Sequence, residues 1–224
     1  MSAYGSIAAP EPKTTLAVRT WDIKNPDCLL WTFPVVGSDA PSELLHHVHH
    51  LLNTEIQDGK TYPQETPLKY EEFVAYYFSS VTIIGLLVSV ENNPPETLEE
   101  ARCGQSWEVS LGGTYYIKPN YPGRSSHVKR SLINENAGFL VPEQHRGRGV
   151  GAALAKSFCE YAPQLGYKSS VFNLVYANNT ASLRLWDSLG FSRVGLIPQA
   201  GRLRSGPEGG EEYVDAVVIY KSFV

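Results

Sequence analysis

Three glycines alternate with basic and small residues in the run Gln144-His145-Arg146-Gly147-Arg148-Gly149-Val150-Gly151. Gly147, Gly149 and Gly151 remove side chains where a turn enters a helix. Backbone N–H groups are then left pointing outward at the positive end of the helix dipole. That arrangement cradles an anion such as a pyrophosphate, and Arg146 and Arg148 add charge beside it. The spacing is not that of a Walker A loop, which ends in Gly-Lys-Ser/Thr. It is not Gly-x-Gly-x-x-Gly either, because the glycines here alternate.

Four further residues could do chemistry. Asn136 and Asn173 lie in apolar stretches that read as strands, where a buried asparagine is disfavoured unless hydrogen-bonded. Each bonds a strand end or holds an amine through its side-chain carbonyl; neither can be a base, since an amide takes no proton at neutral pH. Asn179 opens the run Thr180 to Leu189 and either caps that helix or contacts a ligand. Trp186 offers an indole N–H but no usable acid, and either packs or walls a pocket. Glu135 is the carboxylate nearest Asn136, but adjacent strand residues face opposite ways, so a water relay is the better base. Lys60 and Tyr62 read as a surface turn, with a pocket wall or dimer contact as the alternative. His46 and His50 share an i, i+4 face without a carboxylate or cysteine pattern, so a solvated face and no metal are expected. His145 is expected to face solvent.

These residues need elements to hold them. The spacing predicts strands over 15–19, 81–90, 111–117, 136–141, 169–176, 191–197 and 213–220. Helices are predicted over 41–57, 70–78, 150–162 and 180–189, the first with the stripe Leu44, Leu45, Val48, Leu51, Leu52 and Ile56. Segments 91–108 and 118–133 read as loops. Strand 136–141, helix 150–162 and strand 169–176 form a βαβ unit, so those strands should run parallel. The result is an α/β (α+β) protein with a mixed sheet.

A chain of 224 residues holds one sizeable core. The expected organisation is a flexible tail over 1–13 and one domain over 14–224, with its core from about residue 65. The formal charge of −4 argues against a nucleic-acid partner. The longest apolar run, Val81 to Val90, falls short of the roughly 20 residues a membrane span needs. Three widely spaced cysteines fit a reducing compartment, with the cytoplasm expected and mitochondrion and nucleus left open.

The glycine run resembles the GNAT acetyltransferase signature Gln/Arg-x-x-Gly-x-Gly/Ala. It fits as Gln144-x-x-Gly147-x-Gly149 and again as Arg146-x-x-Gly149-x-Gly151. The run from Asn179 to Phe191 resembles that family's Asn-x-x-Ala-x-x-Leu-Tyr-x-x-x-Gly-Phe helix, with Ser182 for the alanine and Trp186 for the tyrosine. The resemblance implies a GNAT fold: a central sheet splayed between the strands at 136–141 and 169–176, with helices on both faces. It implies acetyl-CoA as co-substrate, bound by Leu140, Val141, Gln144, Arg146 to Gly151 and Asn179, with no metal. It also puts the usual tyrosine acid in doubt.

Further segments are similar to the fungal L-azetidine-2-carboxylate N-acetyltransferases. They include Gly59 to Gln64, Gly113 to Tyr121, Asn136 to Val141, Phe172 to Val175, Gly195 to Gly201 and Val214 to Ala216. This implies acetylation of a small cyclic imino acid, a detoxification, with Asn136 and Asn173 catalytic and with Asn136, Asn173, Asn179 and Trp186 binding the acceptor. A homodimer is implied as well. A peptide, lysine or polyamine acceptor, and a non-catalytic acetyl-CoA-binding module, are the alternatives.

Overall fold

The structure, a computed structural model, describes residues 16–36, 39–119, 132–136, 138–206 and 210–224, with 132–136 described by backbone alone. The tail expected over 1–13 and most of the loop expected over 118–133 lie outside the described residues.

Nine strands are described: β1 (Arg19–Asp22), β2 (Cys28–Val36), β3 (Val81–Ser89), β4 (Leu111–Pro119), β5 (Leu132–Asn136), β6 (Phe139–Leu140), β7 (Tyr167–Tyr176), β8 (Ser192–Ser205) and β9 (Gly210–Ser222). Six helices accompany them: α1 (Ser42–Asp58), α2 (Tyr70–Tyr77), α3 (Leu98–Arg102), α4 (Trp107–Ser110), α5 (Val150–Gln164) and α6 (Thr180–Ser188). The sheet runs β1-β2-β3-β4-β5-β7-β9-β8, with β6 paired to β4.

Most expected elements are present, with several differences. The strand expected over 136–141 is split, with Asn136 ending β5 and Phe139–Leu140 forming the separate β6, because the chain leaves β7 at this point and stays on β4. The first strand lies at Arg19–Asp22 rather than 15–19, and β2 was not anticipated. The acidic stretch 91–108 holds the short helices α3 and α4, and β8 extends well past residue 197 to Ser205.

Each face of the sheet carries its own apolar cluster. On one face, α5 and α6 bring Leu154, Phe158, Leu183 and Trp186 onto Ile83, Tyr115 and Ile117. On the other, α1 buries Leu44, Leu45, Val48, Leu52 and Ile56 with Phe73 and Tyr77 of α2 against Ile84, Leu86 and Tyr116. Coverage on both faces explains why β3 is a continuous apolar run rather than an alternating one. No helix among the described residues is long and apolar enough to cross a membrane.

The sheet opens within the two segments that the family resemblance implies, and the register shows at which residues. Leu132, Asn134 and Glu135 of β5 pair in parallel with Tyr167, Ser169 and Ser170 of β7. Beyond that point the strands part. Phe139 and Leu140 of β6 stay on β4, in the same register as Asn136 opposite Lys118. Meanwhile β7 stays on β9, with a register shift between Phe172 and Val175. Ser169 and Ser170 are therefore inside the paired region, and the opening lies between 139–141 and 172–175.

Candidate active site

A cavity of about 890 Å³ fills this opening. Phe139, Leu140 and Val141 line one side, and Phe172, Asn173, Leu174 and Val175 the other. Among the described residues the edge of β6 away from β4 has no strand partner, which leaves its backbone open to a ligand. Trp186, Asn179 and Ser182 reach the cavity from α6, and Arg146 and Gly151 from the glycine turn.

The glycine turn has the geometry its sequence implies. Gly147 and Gly149 hold φ of +74° and +91°, and Gly149 is the residue before α5. Among the described residues no side chain caps that helix. A Cβ at Gly151 would meet only Val141 Cγ2, at 3.9 Å, so the first turn is open on that side. Uncapped N–H groups, a positive helix end and open space fit a pyrophosphate.

The turn is braced by a segment the sequence did not connect with it. Lys24, between β1 and β2, donates its backbone N–H to Arg148 O at 2.9 Å and its Nζ to Gly147 O at 3.0 Å. Gln144 Nε2 donates to Glu108 O, and Val150 is buried in the core below α5. Arg146 is not a free cation. Its guanidinium is ion-paired with Glu55 of α1 and donates through Nε to Val141 O at 3.1 Å. The Glu55 side chain is 13% exposed and also accepts from Thr61 Oγ1 at 3.0 Å. Arg148 is exposed.

The remaining expected residues separate. Asn173 is half-buried in the cavity wall. Asn136 has its strand position described, but its side chain lies outside the described residues. Asn179 caps α6, its Oδ1 accepting from Ser182 N at 3.1 Å, and it also lines the cavity. Trp186 is 5% exposed and packs against Phe139, Phe158, Phe172 and Phe191 with ring centroids 4.7 to 5.9 Å apart. It is both packing residue and pocket wall.

His145 corrects an expectation. It is buried rather than solvent-facing, and burial followed by the nearby Arg148 charge lowers its pKa. Its neighbours along the turn point outward, and only the chain's path onto the protein turns the ring in. His46 stacks on Tyr70 at 4.3 Å, and among the described residues no three His, Cys, Asp or Glu side chains group as metal ligands.

Tyr76 and Tyr116 carried no site signal in the sequence, while Lys60 and Tyr62 take the pocket-wall alternative. Tyr62, Tyr76 and Tyr116 line the end of the cavity beside Gly138. Tyr62 is thus pocket wall rather than surface turn, its hydroxyl buried without a partner and its pKa raised by burial. Lys60 also lines the cavity and pairs with Asp58 at 2.8 Å. Tyr76 and Tyr116 join hydroxyls at 2.8 Å. Gly138 is needed where Tyr116 approaches, since a Cβ there would lie 2.6 Å from Tyr116 Cε1. Nothing in single residues at 55, 76 or 116 marks them; their helices and strand read as ordinary amphipathic elements.

Comparison with known proteins agrees with this geometry. The Acetyltransferase (GNAT) family matches residues 54–191. N-acetyltransferase aca1 of Schizosaccharomyces pombe is 43% identical over 181 residues, covering 81% of each chain. A GCN5-related N-acetyltransferase from Kribbella flavida superposes with a TM-score of 0.62 at 23% identity, over 85% of this chain and 97% of that one. The yncA protein of Salmonella typhimurium, solved with its cofactor acetyl-CoA, gives 0.61 at 14% identity over 86% and 94%. The splayed sheet, the uncapped glycine turn and the extent of these matches lead to one conclusion: the chain belongs to the Acetyltransferase (GNAT) family and is an acetyl-CoA-dependent N-acetyltransferase.

Proposed function

We propose that the acceptor is a small cyclic imino acid such as L-azetidine-2-carboxylate or a proline-related compound, and that acetylation detoxifies it. The observation that carries this reading is Asn173, a half-buried amide on the cavity wall just beyond the point where β7 leaves β5. Its carbonyl can accept from the acceptor nitrogen, and Asn136, on the facing strand, is the second such group. Leu140 and Val141 supply backbone N–H groups for the tetrahedral oxyanion. Gln144, Arg146, Gly147, Arg148, Gly149, Val150 and Gly151 form the pyrophosphate turn, and Asn179 and Trp186 close the wall from α6. The segments shared with the azetidine-acetylating enzymes support the choice of acceptor.

The test mixes purified protein with acetyl-CoA and a panel of amines and follows free thiol. Azetidine-2-carboxylate is expected to give the fastest release. Release with a peptide, lysine or spermidine but not with the imino acids overturns the reading. Asn136→Ala and Asn173→Ala should each lower kcat/KM by about 10–100-fold, the loss of one hydrogen bond to a charged or reacting group, with acetyl-CoA affinity unchanged.

The same reading takes residues 14–224 as one domain, supported by a sheet continuous from Arg19 to Ser222. It places the enzyme in the cytoplasm, supported by the three free cysteines. It makes the protein a homodimer through β8 and β9, where Val194, Leu196 and Tyr213 are 57%, 57% and 67% exposed. Exposed apolar side chains on an edge strand and its neighbour support this surface as the interface.

A further inference from the structure

Arg146 opens the second match to the family signature, and its charge beside the glycine turn suggests a phosphate partner. Its contacts lead elsewhere. The guanidinium is ion-paired with Glu55, and its Nε donates to Val141 O at 3.1 Å. The side chain thus runs from the last turns of α1 to the strand end that borders the opening.

Glu55 is tied in several ways. Its carboxylate takes the guanidinium on one oxygen and accepts from Thr61 Oγ1 on the other, and its backbone O accepts from Gly59 N at 3.2 Å. No basic residue lies in the last turn of α1, so Arg146 brings the cation that the negative end of a helix favours. The Arg146 side chain is 48% exposed, but that of Glu55 is only 13% exposed. Turning Arg146 toward a phosphate would leave a nearly dry carboxylate without its cation, which is unfavourable. Lys60, Arg204 and Glu212 are the other charged side chains on the cavity wall among the described residues. Lys60 pairs with Asp58, and Arg204 and Glu212 come from the β8–β9 hairpin, with Arg204 lying along Gly59. At the turn itself, Arg148 is exposed and Lys24 reaches Gly147 O, so two further cations stand near the anion cradle.

The bond to Val141 bears on the reacting edge. Leu140 O faces β4, since a Cβ on Gly113 would lie 2.7 Å from it. In the trans peptide joining Leu140 to Val141, the N–H points opposite to the C=O. Val141 N–H therefore faces the opening. On its other side Val141 is followed by Pro142, so the next peptide has no N–H to anchor it. Its carbonyl is the group that can be tied, and Arg146 ties it.

We infer that Arg146 is a positioning residue: held by Glu55, it fixes Val141 so that the Val141 N–H meets the developing oxyanion, and it does not bind the phosphates. This rests on the proposed role of Val141 as an oxyanion donor, but on no particular acceptor. An oxyanion donor acts only when held in place, so loosening Val141 slows the chemical step and spares the binding of acetyl-CoA.

The test compares Arg146→Lys, Arg146→Met and Glu55→Gln. It measures acetyl-CoA affinity by calorimetry and kcat with whichever panel amine is acetylated, so a wrong acceptor assignment leaves it intact. Lysine keeps the charge a phosphate needs, but its single ammonium lacks the planar fork that joins Glu55 to Val141 O. Both Arg146 variants should lower kcat about 10-fold or more, with the acetyl-CoA Kd within about 3-fold of wild type. Glu55→Gln keeps the size of the side chain and an acceptor for Thr61, and should lower kcat in the same way. The double variant Glu55→Gln, Arg146→Met should be no slower than Arg146→Met alone, because both changes break one contact chain. A larger loss of acetyl-CoA affinity in Arg146→Met marks a phosphate ligand and overturns the inference. So does a smaller loss of kcat in Arg146→Lys, or a double variant in which the two losses multiply. The affinity readout needs no acceptor.

Discussion

At the scale of single residues, Gly149 is the tightest constraint on the donor site. Its φ of +91° is a conformation that L side chains rarely adopt, and a Cβ would lie 3.0 Å from the backbone nitrogen of Lys24. Gly149→Ala should therefore cost about 1–2 kcal/mol in denaturant unfolding. It should also weaken acetyl-CoA binding at least tenfold by calorimetry, because this turn is the one proposed to present the anion-binding amides. A variant with wild-type affinity would separate this glycine from the cofactor. The turn was legible in the sequence because glycine spacing and a helix start are local properties. The state of Arg146 was not, since its partner Glu55 is 91 residues away and on another helix. The same holds for His145, which the chain's path buries among residues that face outward.

At the scale of elements, α6 shows how one residue can serve packing and site together. Trp186 touches four aromatic rings that join α5, α6, β6 and β7, so it fixes the helix against the strands that open. Trp186→Ala should cost about 3–5 kcal/mol, as large aromatic truncations in cores do, measured by denaturant midpoint at unchanged m-value. A cost under 1 kcal/mol would mean the indole is wall and not core. Helices with a clear apolar stripe, such as α1, were readable to within a residue or two. Strand β2 was not, because Pro34 interrupts it and both faces are covered. The register explains its tolerance: β1 pairs only Leu29 to Thr32 of β2, so Pro34 lies where β2 has a strand neighbour on one side alone.

For the molecule as a whole, β8 is one edge of the sheet, and its first half carries exposed apolar side chains. Val194, Leu196 and Ile197 on β8 and Tyr213 on β9 are exposed. Edges of this kind are normally blunted by charge or covered. In the proposed homodimer a second copy covers this one. Leu196→Lys should then convert a dimer to a monomer in analytical ultracentrifugation while leaving the fold intact by circular dichroism; a wild-type monomer would refute the arrangement.

The sequence by itself determined the local geometry of the proposed donor side: the glycine turn and the helix that follows it. Glycine spacing, helix periodicity and the Asn179 to Phe191 run are short-range patterns, and each encodes a local backbone geometry that a phosphate or a thioester can use. It also indicated a parallel βαβ unit, because a crossover helix between two strands leaves no other common arrangement, although the parallel residues are Leu132 to Glu135 rather than the 136–141 expected. Only the tertiary structure decided where the strands part, which carboxylate neutralises Arg146, and which tyrosines line the end of the cavity. Those contacts join α1, α2 and β4 to the turn and the opening across tens of residues. Burial and charge pairing at such distances depend on how the elements pack rather than on any spacing along the chain.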